Sequence, residues 1–172
     1  EVWFVPNARP PHKDDATLTP FDRRVEMLEL AIAGHACFRV SEIERDRPGP
    51  SFTADTLDEL HRTHPEHDWF LIVGADCLPD LPKWYDPRRI VERATLLAAA
   101  RPGWEAWNAE QLAAALGPGL KTPVRLEAVA TPLISISSRD LRKRAAEGRS
   151  IRYLVPHAVE VYIREKRVYA VS

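Results

Sequence analysis

The stretch Trp69-Phe70-Leu71-Ile72-Val73-Gly74-Ala75-Asp76 decides how this chain is read. Its first five residues are a continuous apolar run, as expected of a strand covered on both faces in a parallel sheet. Gly74 at the end of the run lets a ligand approach the backbone closely. The Asp76 carboxylate beside it can accept hydrogen bonds from ribose hydroxyls. A Gly-x-Asp turn also serves as a plain helix cap, and both readings stand at this point.

Working outward, short apolar runs alternate with helical stretches. Val2–Val5 reads as a strand, followed by the loop Pro6 to Lys13. A helix is expected from Thr19 as cap, with Pro20 in its first position and Phe21, Val25, Leu28 and Ile32 on one face. Gly34 is its natural stop. Phe38–Ile43 reads as a strand, Thr53 to about His64 as a helix ended by Pro65, and Asp86-Pro87 as the start of a helix reaching about Arg93. Thr95–Ala100 and Val124–Val129 read as strands, Asn108–Leu116 as a helix closed by Gly117, and helices follow Ser138 and Pro156. This alternation implies an α/β fold, a doubly wound, mostly parallel sheet with helices on both faces. In such sheets ligands bind at the carboxyl ends of the strands. The polar clusters do follow strands: Asn7 to Lys13, Gly74 to Asp76, and Arg101.

Composition narrows the classes. The 172 residues fit one domain, and 45% apolar residues are enough for a core. Lysine and arginine number 24 against 25 acidic residues, for a net charge of -1, without the basic excess of a nucleic-acid binder. Cys37 and Cys77 stand far apart and form no Cys-x-x-Cys pair, which points to reduced thiols, a cytoplasmic location and no structural zinc. No apolar run approaches membrane-spanning length, and no signal-peptide pattern is present. The chain opens at Glu1 and runs straight into a strand, so a removed upstream segment is expected.

Several clusters carry chemistry. In Ile136-Ser137-Ser138-Arg139-Asp140-Leu141-Arg142, two serines and an arginine one turn later sit at a helix start. Unpaired amides, hydroxyls and a guanidinium there make a phosphate cradle; the plainer reading is an N-cap. Trp84 in Pro82-Lys83-Trp84-Tyr85 is either core filler or a stacking platform for a flat ring. Lys13, after the stiff Pro10-Pro11 turn, is a phosphate contact or a solvated lysine. Thr53 in Ser51-Phe52-Thr53-Ala54-Asp55-Thr56 caps a helix or marks an anion-binding helix start. His61, His64 and His67 straddle a helix end broken by Pro65, so one convergent metal site is not expected. Arg88-Arg89 and Arg142 to Arg144 read as solvated faces, Arg142 excepted. Trp104 and Trp107 receive no role.

Taken in order, these stretches resemble bacterial nicotinate mononucleotide adenylyltransferases, of the Rossmann-like nucleotidylyltransferase superfamily. The resemblance runs through Pro6-Asn7-x-x-Pro10-Pro11-His12-Lys13, Arg24-x-x-Met27-Leu28-x-Leu30-Ala31 and Ser51-Phe52-Thr53-x-x-Thr56-Leu57. It continues through Gly74-x-Asp76-x-Leu78-x-x-Leu81-x-x-Trp84-Tyr85, Arg101-Pro102-Gly103, Ile136-Ser137-Ser138-x-x-x-Arg142 and Tyr153-Leu154-Val155-Pro156. It implies transfer of AMP from ATP to nicotinate mononucleotide, giving nicotinate adenine dinucleotide and pyrophosphate in NAD biosynthesis, with Mg2+ on the ATP.

By the same resemblance Trp84 stacks on the pyridine ring, and amides near Thr53 and Tyr85 hold the nicotinate carboxylate. Asn7 and Lys13 contact the mononucleotide, Gly74 and Asp76 line the nucleotide cleft, and Ser137, Ser138 and Arg142 hold the ATP phosphates. Ser138 and Arg142 are the catalytic candidates. Arg139 stands where the family often has threonine. The expected partners are the two nucleotides, with no nucleic acid and no membrane; a homo-oligomer is left open. The family also opens with a strand, a Gly-Gly-Thr-Phe-Asp-Pro loop and a His-x-Gly-His segment that these residues lack. Residues 1–172 are therefore expected to form a single nucleotidylyltransferase domain without its first βα unit, roughly 30 residues. Such a chain is expected to aggregate and to lack turnover. The alternatives are an adenylyltransferase acting on nicotinamide mononucleotide or pantetheine phosphate, or a non-catalytic nucleotide-binding module.

Overall fold

Every ladder among the described residues is parallel, and a helix lies in the connection between each pair of neighbouring strands. β1 (Val2–Phe4) pairs with β2 (Phe38–Val40) in the register Val2↔Phe38, and α1 (Phe21–Ile32) connects them. β3 (Phe70–Gly74), β4 (Thr95–Ala99) and β5 (Leu126–Val129) form a second ladder in that order. α3 (Pro87–Arg93) and α4 (Ala109–Leu116) fill its crossovers, as parallel neighbours require. α2 (Thr53–Thr63) precedes β3, while α5 (Ser138–Ala146) and α6 (His157–Glu165) end the order. This is the expected α/β class. The computed structural model describes residues 1–11, 18–105, 107–132 and 134–169, so His12 and Lys13 lie outside the described residues. Among the described residues no helix is long and apolar enough to cross a membrane.

The chain divides into two compact units, one of Glu1–Ser51 with Ile136–Ser172 and the other of Phe52–Ser135. In the second, β4 is the middle strand, and the register puts Leu71, Val73, Leu96 and Ala98 on one face. That face is closed: Leu96 and Ala98 are buried, as are Leu78, Leu81, Ile90, Val91 and Leu112 from the neighbouring segments. The opposite face corrects the sequence reading of Trp69 to Val73. Phe70 and Ile72 are 54% and 57% exposed, so β3 is covered on one face only among the described residues. A continuous apolar run does not itself reveal whether both faces have cover; the alternation of burial along a strand does.

Helix ends follow local chemistry where the right side chain is in reach. Asp86 caps α3, its carboxylate accepting from the Arg89 amide at 3.4 Å. Asn108 and Gln111 form a reciprocal capping box on α4, and Gly117 leaves that helix at a φ of 74°. The cap expected at Thr19 does not form, and of the two readings of Thr53 the helix start is the one observed. Pro20, not Thr19, sits at the cap of α1, and the Thr19 carbonyl instead accepts from Arg24 Nε at 2.9 Å. Phe52 occupies the cap position of α2 with no side-chain cap, which makes Thr53 the first helical residue.

The first unit has a smaller core. Ile151, Val159 and Ile163 are buried against Met27, Leu30 and Ala31 of α1 and Leu141 and Ala145 of α5. Tyr162 of α6 ties back to α1: its hydroxyl accepts from Arg23 at 2.9 Å and donates to Glu26. Burial and the Glu26 carboxylate push the Tyr162 hydroxyl above its usual pKa.

Candidate functional site

In the second unit Gly74 and Asp76 lie at the carboxyl end of β3. Gly74 ends β3, and a methyl group there would stand 2.2 Å from Asp76 Oδ1, so any side chain would displace that carboxylate. Asp76 Oδ1 accepts from Arg101 Nε at 3.2 Å. Asp76 follows β3 and Arg101 follows β4, so the pair sits where parallel sheets hold ligands. The carboxylate is thereby oriented and partly neutralised while 27% exposed. Cys77 lies beside it, with burial and then the Asp76 charge raising its thiol pKa. Sequence reading gave Arg101 no role, although its place after a strand was the available signal.

A second grouping brings Tyr85 against Phe52, the residue before Thr53. The Phe52 and Tyr85 rings stack with centroids 4.2 Å apart and an interplanar angle of 25°. This stack sets the start of α2 against the turn that follows the short helix Leu81–Lys83. The Phe52 carbonyl takes the Asp55 and Thr56 amides, both at 3.1 Å. The Thr53 and Ala54 amides remain as first-turn donors with no helical acceptor. Trp84 is half-buried, its amide donating to the Leu81 carbonyl at 3.0 Å.

In the first unit Ser137 caps α5, its hydroxyl accepting from the Asp140 amide at 3.1 Å. Both Ser137 and Ser138 are exposed, and Arg142 is half-buried one turn on. Asp140 is drawn aside by Arg144 at 2.8 Å, which leaves the serine end of the helix positive. Asn7 belongs to a second, tightly bonded group. Its side-chain amide donates to the Ser51 carbonyl at 3.5 Å, and its own carbonyl accepts from Arg24 at 2.6 Å. The Ala8 amide reaches Glu44, and the Arg9 amide reaches Ser51 Oγ, both at 3.1 Å. Asn7 Oδ1 is buried without a hydrogen-bond partner among the described residues. Because its nitrogen faces a carbonyl, that free atom is an acceptor and suits a hydroxyl rather than a phosphate oxygen.

The histidines divide. His61 Nε2 meets the Arg93 carbonyl at 2.7 Å. His64, Glu66 and His67 gather their donor atoms within 4.8 Å of one another, with His67 Nδ1 3.3 Å from Glu66. Glu66 and His67 are exposed.

Three comparisons place the chain. The model of the cytidylyltransferase-like family matches residues 1–144. A Thermus thermophilus protein named probable nicotinate-nucleotide adenylyltransferase is 44% identical over 168 residues, covering 98% of this chain and 82% of that protein. A Geobacillus thermodenitrificans protein of the same name is 38% identical over 169 residues, covering 98% and 72%. The chain belongs to the nicotinate-nucleotide adenylyltransferase family. Its fold agrees with that of the Plasmodium falciparum nicotinic acid mononucleotide adenylyltransferase complexed with NaAD. The TM-score there is 0.75 at 19% sequence identity, over 98% of this chain and 82% of the other.

In this member of the adenylyltransferase family, Arg89 overturns its reading as part of a solvated face. Its guanidinium donates to Asp58 at 2.7 Å and to Asp55 at 2.9 Å. Nε lies 3.1 Å from Asp86, and the group packs 5.7 Å from the Tyr85 ring centroid. Arg93 adds a second contact to Asp58 at 2.8 Å. Burial raises the Asp58 pKa, but the hydrogen bonds from Arg89 and Arg93 outweigh it and hold the carboxyl below its usual value. The sequence signal was complementary spacing: acids at 55 and 58 on one helix, arginines at 89 and 93 on another.

Proposed function

We propose that this chain binds ATP and nicotinate mononucleotide for transfer of AMP between them. The mononucleotide phosphate oxygen attacks the α-phosphorus in line. A new phosphorus–oxygen bond forms, the bond to the β-phosphate oxygen breaks, and pyrophosphate leaves with that electron pair. No protein nucleophile is required, so the work of the chain is positioning and charge stabilisation. The observation that carries this reading is the 44% identity to the Thermus thermophilus relative along nearly the whole chain.

Each of these groups has a part in that reading. The uncapped start of α2 and the Tyr85 amide take the nicotinate carboxylate, and Trp84 stacks on the pyridine ring. Asn7 Oδ1 accepts from a ribose hydroxyl of the mononucleotide, whose phosphate side belongs to Lys13. Gly74 gives the ATP nucleoside room beside the Asp76 carboxylate, which accepts from a ribose hydroxyl. Ser138, the Ser137 end of α5 and Arg142 hold the triphosphate. Magnesium bound to ATP supplies charge neutralisation on the leaving phosphates. The donor set fits an ion carried by phosphate oxygens and water, because the one carboxylate at the Gly74 turn, Asp76, is already engaged by Arg101.

Calorimetric titration of the 172-residue chain tests the reading. Binding of both ATP and nicotinate mononucleotide is the expected result, and failure to bind either nucleotide overturns it.

A further inference from the structure

α2 begins in an unusual state. Asp55 stands at its third helical position, from which a side-chain acceptor can reach back to the backbone amide of the cap residue, here Phe52. Here it does not, and α2 has no side-chain cap. The Asp55 carboxylate is instead held at 2.9 Å by Arg89. The same guanidinium holds Asp58 and lies against Asp86. Three carboxylates therefore share this one guanidinium, and one of them, Asp55, belongs to the first turn of α2. Arg89 offsets part of their charge and holds Asp55 away from the helix start.

We propose that Arg89 is a specificity-determining positioning residue, which keeps the α2 start uncapped and selects a mononucleotide bearing a ring carboxylate over one bearing a carboxamide. The inference rests on the proposed function, because it needs the carboxylate to sit at the amides of Thr53 and Ala54. Without Arg89, Asp55 is released to reach the helix start, and the cluster, left with Arg93 alone against three carboxylates, becomes more negative. Both changes act against an anionic ring substituent. A neutral carboxamide loses much less.

The test is titration of the full chain with nicotinate mononucleotide, nicotinamide mononucleotide and ATP. The unmodified chain is expected to prefer the acid. Arg89→Met is expected to lower the acid-to-amide affinity ratio about tenfold, the size of a charge effect at several ångströms in a half-exposed site, with ATP affinity unmoved. The double change Arg89→Met with Asp55→Ala removes both the freed cap and one surplus charge, and is expected to restore most of the ratio. A purely structural role for Arg89 would not give that rescue. Should Arg89→Met fail to fold, Arg89→Lys keeps the charge but loses the fork, and a smaller fall in the same ratio is expected. An unmoved ratio in these Arg89 variants, or an equal fall for all three ligands, overturns the inference and leaves the proposed function standing. An unmodified chain that binds the amide as well as the acid also overturns it. A chain that binds neither mononucleotide overturns the proposed function and the inference together.

Discussion

The two units are built differently. Residues 52–135 hold all six of the largest fully buried side chains: Leu78, Leu81, Ile90, Leu96, Leu112 and Val91. The other unit centres on Ile151, Val159 and Ile163, the last two 7% and 9% exposed, and is completed by partly buried neighbours. Polar ties stand in where the apolar core is thin: Tyr162 to Arg23 and Glu26, and Arg45 to Asp22 and Glu42. Exposed ties of that kind are each worth little, whereas close-packed side chains resist removal. The contrast assigns stability mainly to one unit, although both carry candidate nucleotide contacts.

The sharpest way to break the contrast is to delete the same side chain in each unit. Ile90→Ala removes a side chain with no exposure and is expected to cost about 4 kcal/mol. Ile163→Ala is expected to cost about 2 kcal/mol, because its site is shallower and collapses more readily. Urea unfolding of both variants supplies the numbers. Equal losses would show that the thin core is as tightly packed as the thick one.

Next in size are the ligand contacts. Trp84→Ala is expected to weaken nicotinate mononucleotide about tenfold and to leave ATP unchanged, as loss of ring stacking would. Arg142→Ala is expected to do the reverse, through a charge-assisted phosphate contact. Paired titrations check both. If either variant weakens both nucleotides equally, the division of labour between the Trp84 turn and α5 is wrong.

Legibility in the sequence followed the range of the interactions. The helix starts near Asp86 and Asn108 were readable because the side chains that cap them act on amides three residues on. Ser137, Ser138 and Arg142 were readable as one helical turn, and Gly74 with Asp76 as a strand end. Thr19 was misread because cap propensity is a local average, overridden here by Pro20 at the cap position. Phe70 and Ile72 were misread because hydrophobicity states a preference for cover, and only packing tells whether cover is present. Arg89 was missed because its partners lie up to 34 residues away. A charged side chain reads as solvated until the fold brings its counter-charges alongside.

A smaller effect separates the two units by pH. Asp58 titrates below the usual carboxylate range in the folded chain. Its ion pairs with Arg89 and Arg93 therefore add stability above the unfolded carboxylate value of about 3.9, and that increment disappears as pH falls through the lower folded value. The difference in unfolding free energy between the unmodified chain and Asp58→Asn is expected to be largest near neutral pH and to shrink below about pH 4. For side chains about one-third exposed, about 1 kcal/mol is the expected ceiling. A difference that grows on acidification would mean that Asp58 is held protonated by burial, against the two arginines.

The least perturbing contrast uses the two thiols, one in each unit. Cys37 is exposed, whereas Cys77 is partly buried beside Asp76. Burial, then the Asp76 charge, raises the Cys77 pKa, and the thiolate is the reactive form. Labelling with a thiol reagent at neutral pH is expected to give a fast phase at Cys37 and a slow one at Cys77. Asp76→Asn should speed the slow phase by removing a neighbouring negative charge while leaving the fast phase alone. ATP should slow it further if the nucleoside lies over Asp76. Cys77 protection that follows added ATP, and fails to follow it in Asp76→Asn, would tie the ribose contact to that carboxylate. Protection identical in both proteins would separate Asp76 from the ligand and leave it a structural partner of Arg101.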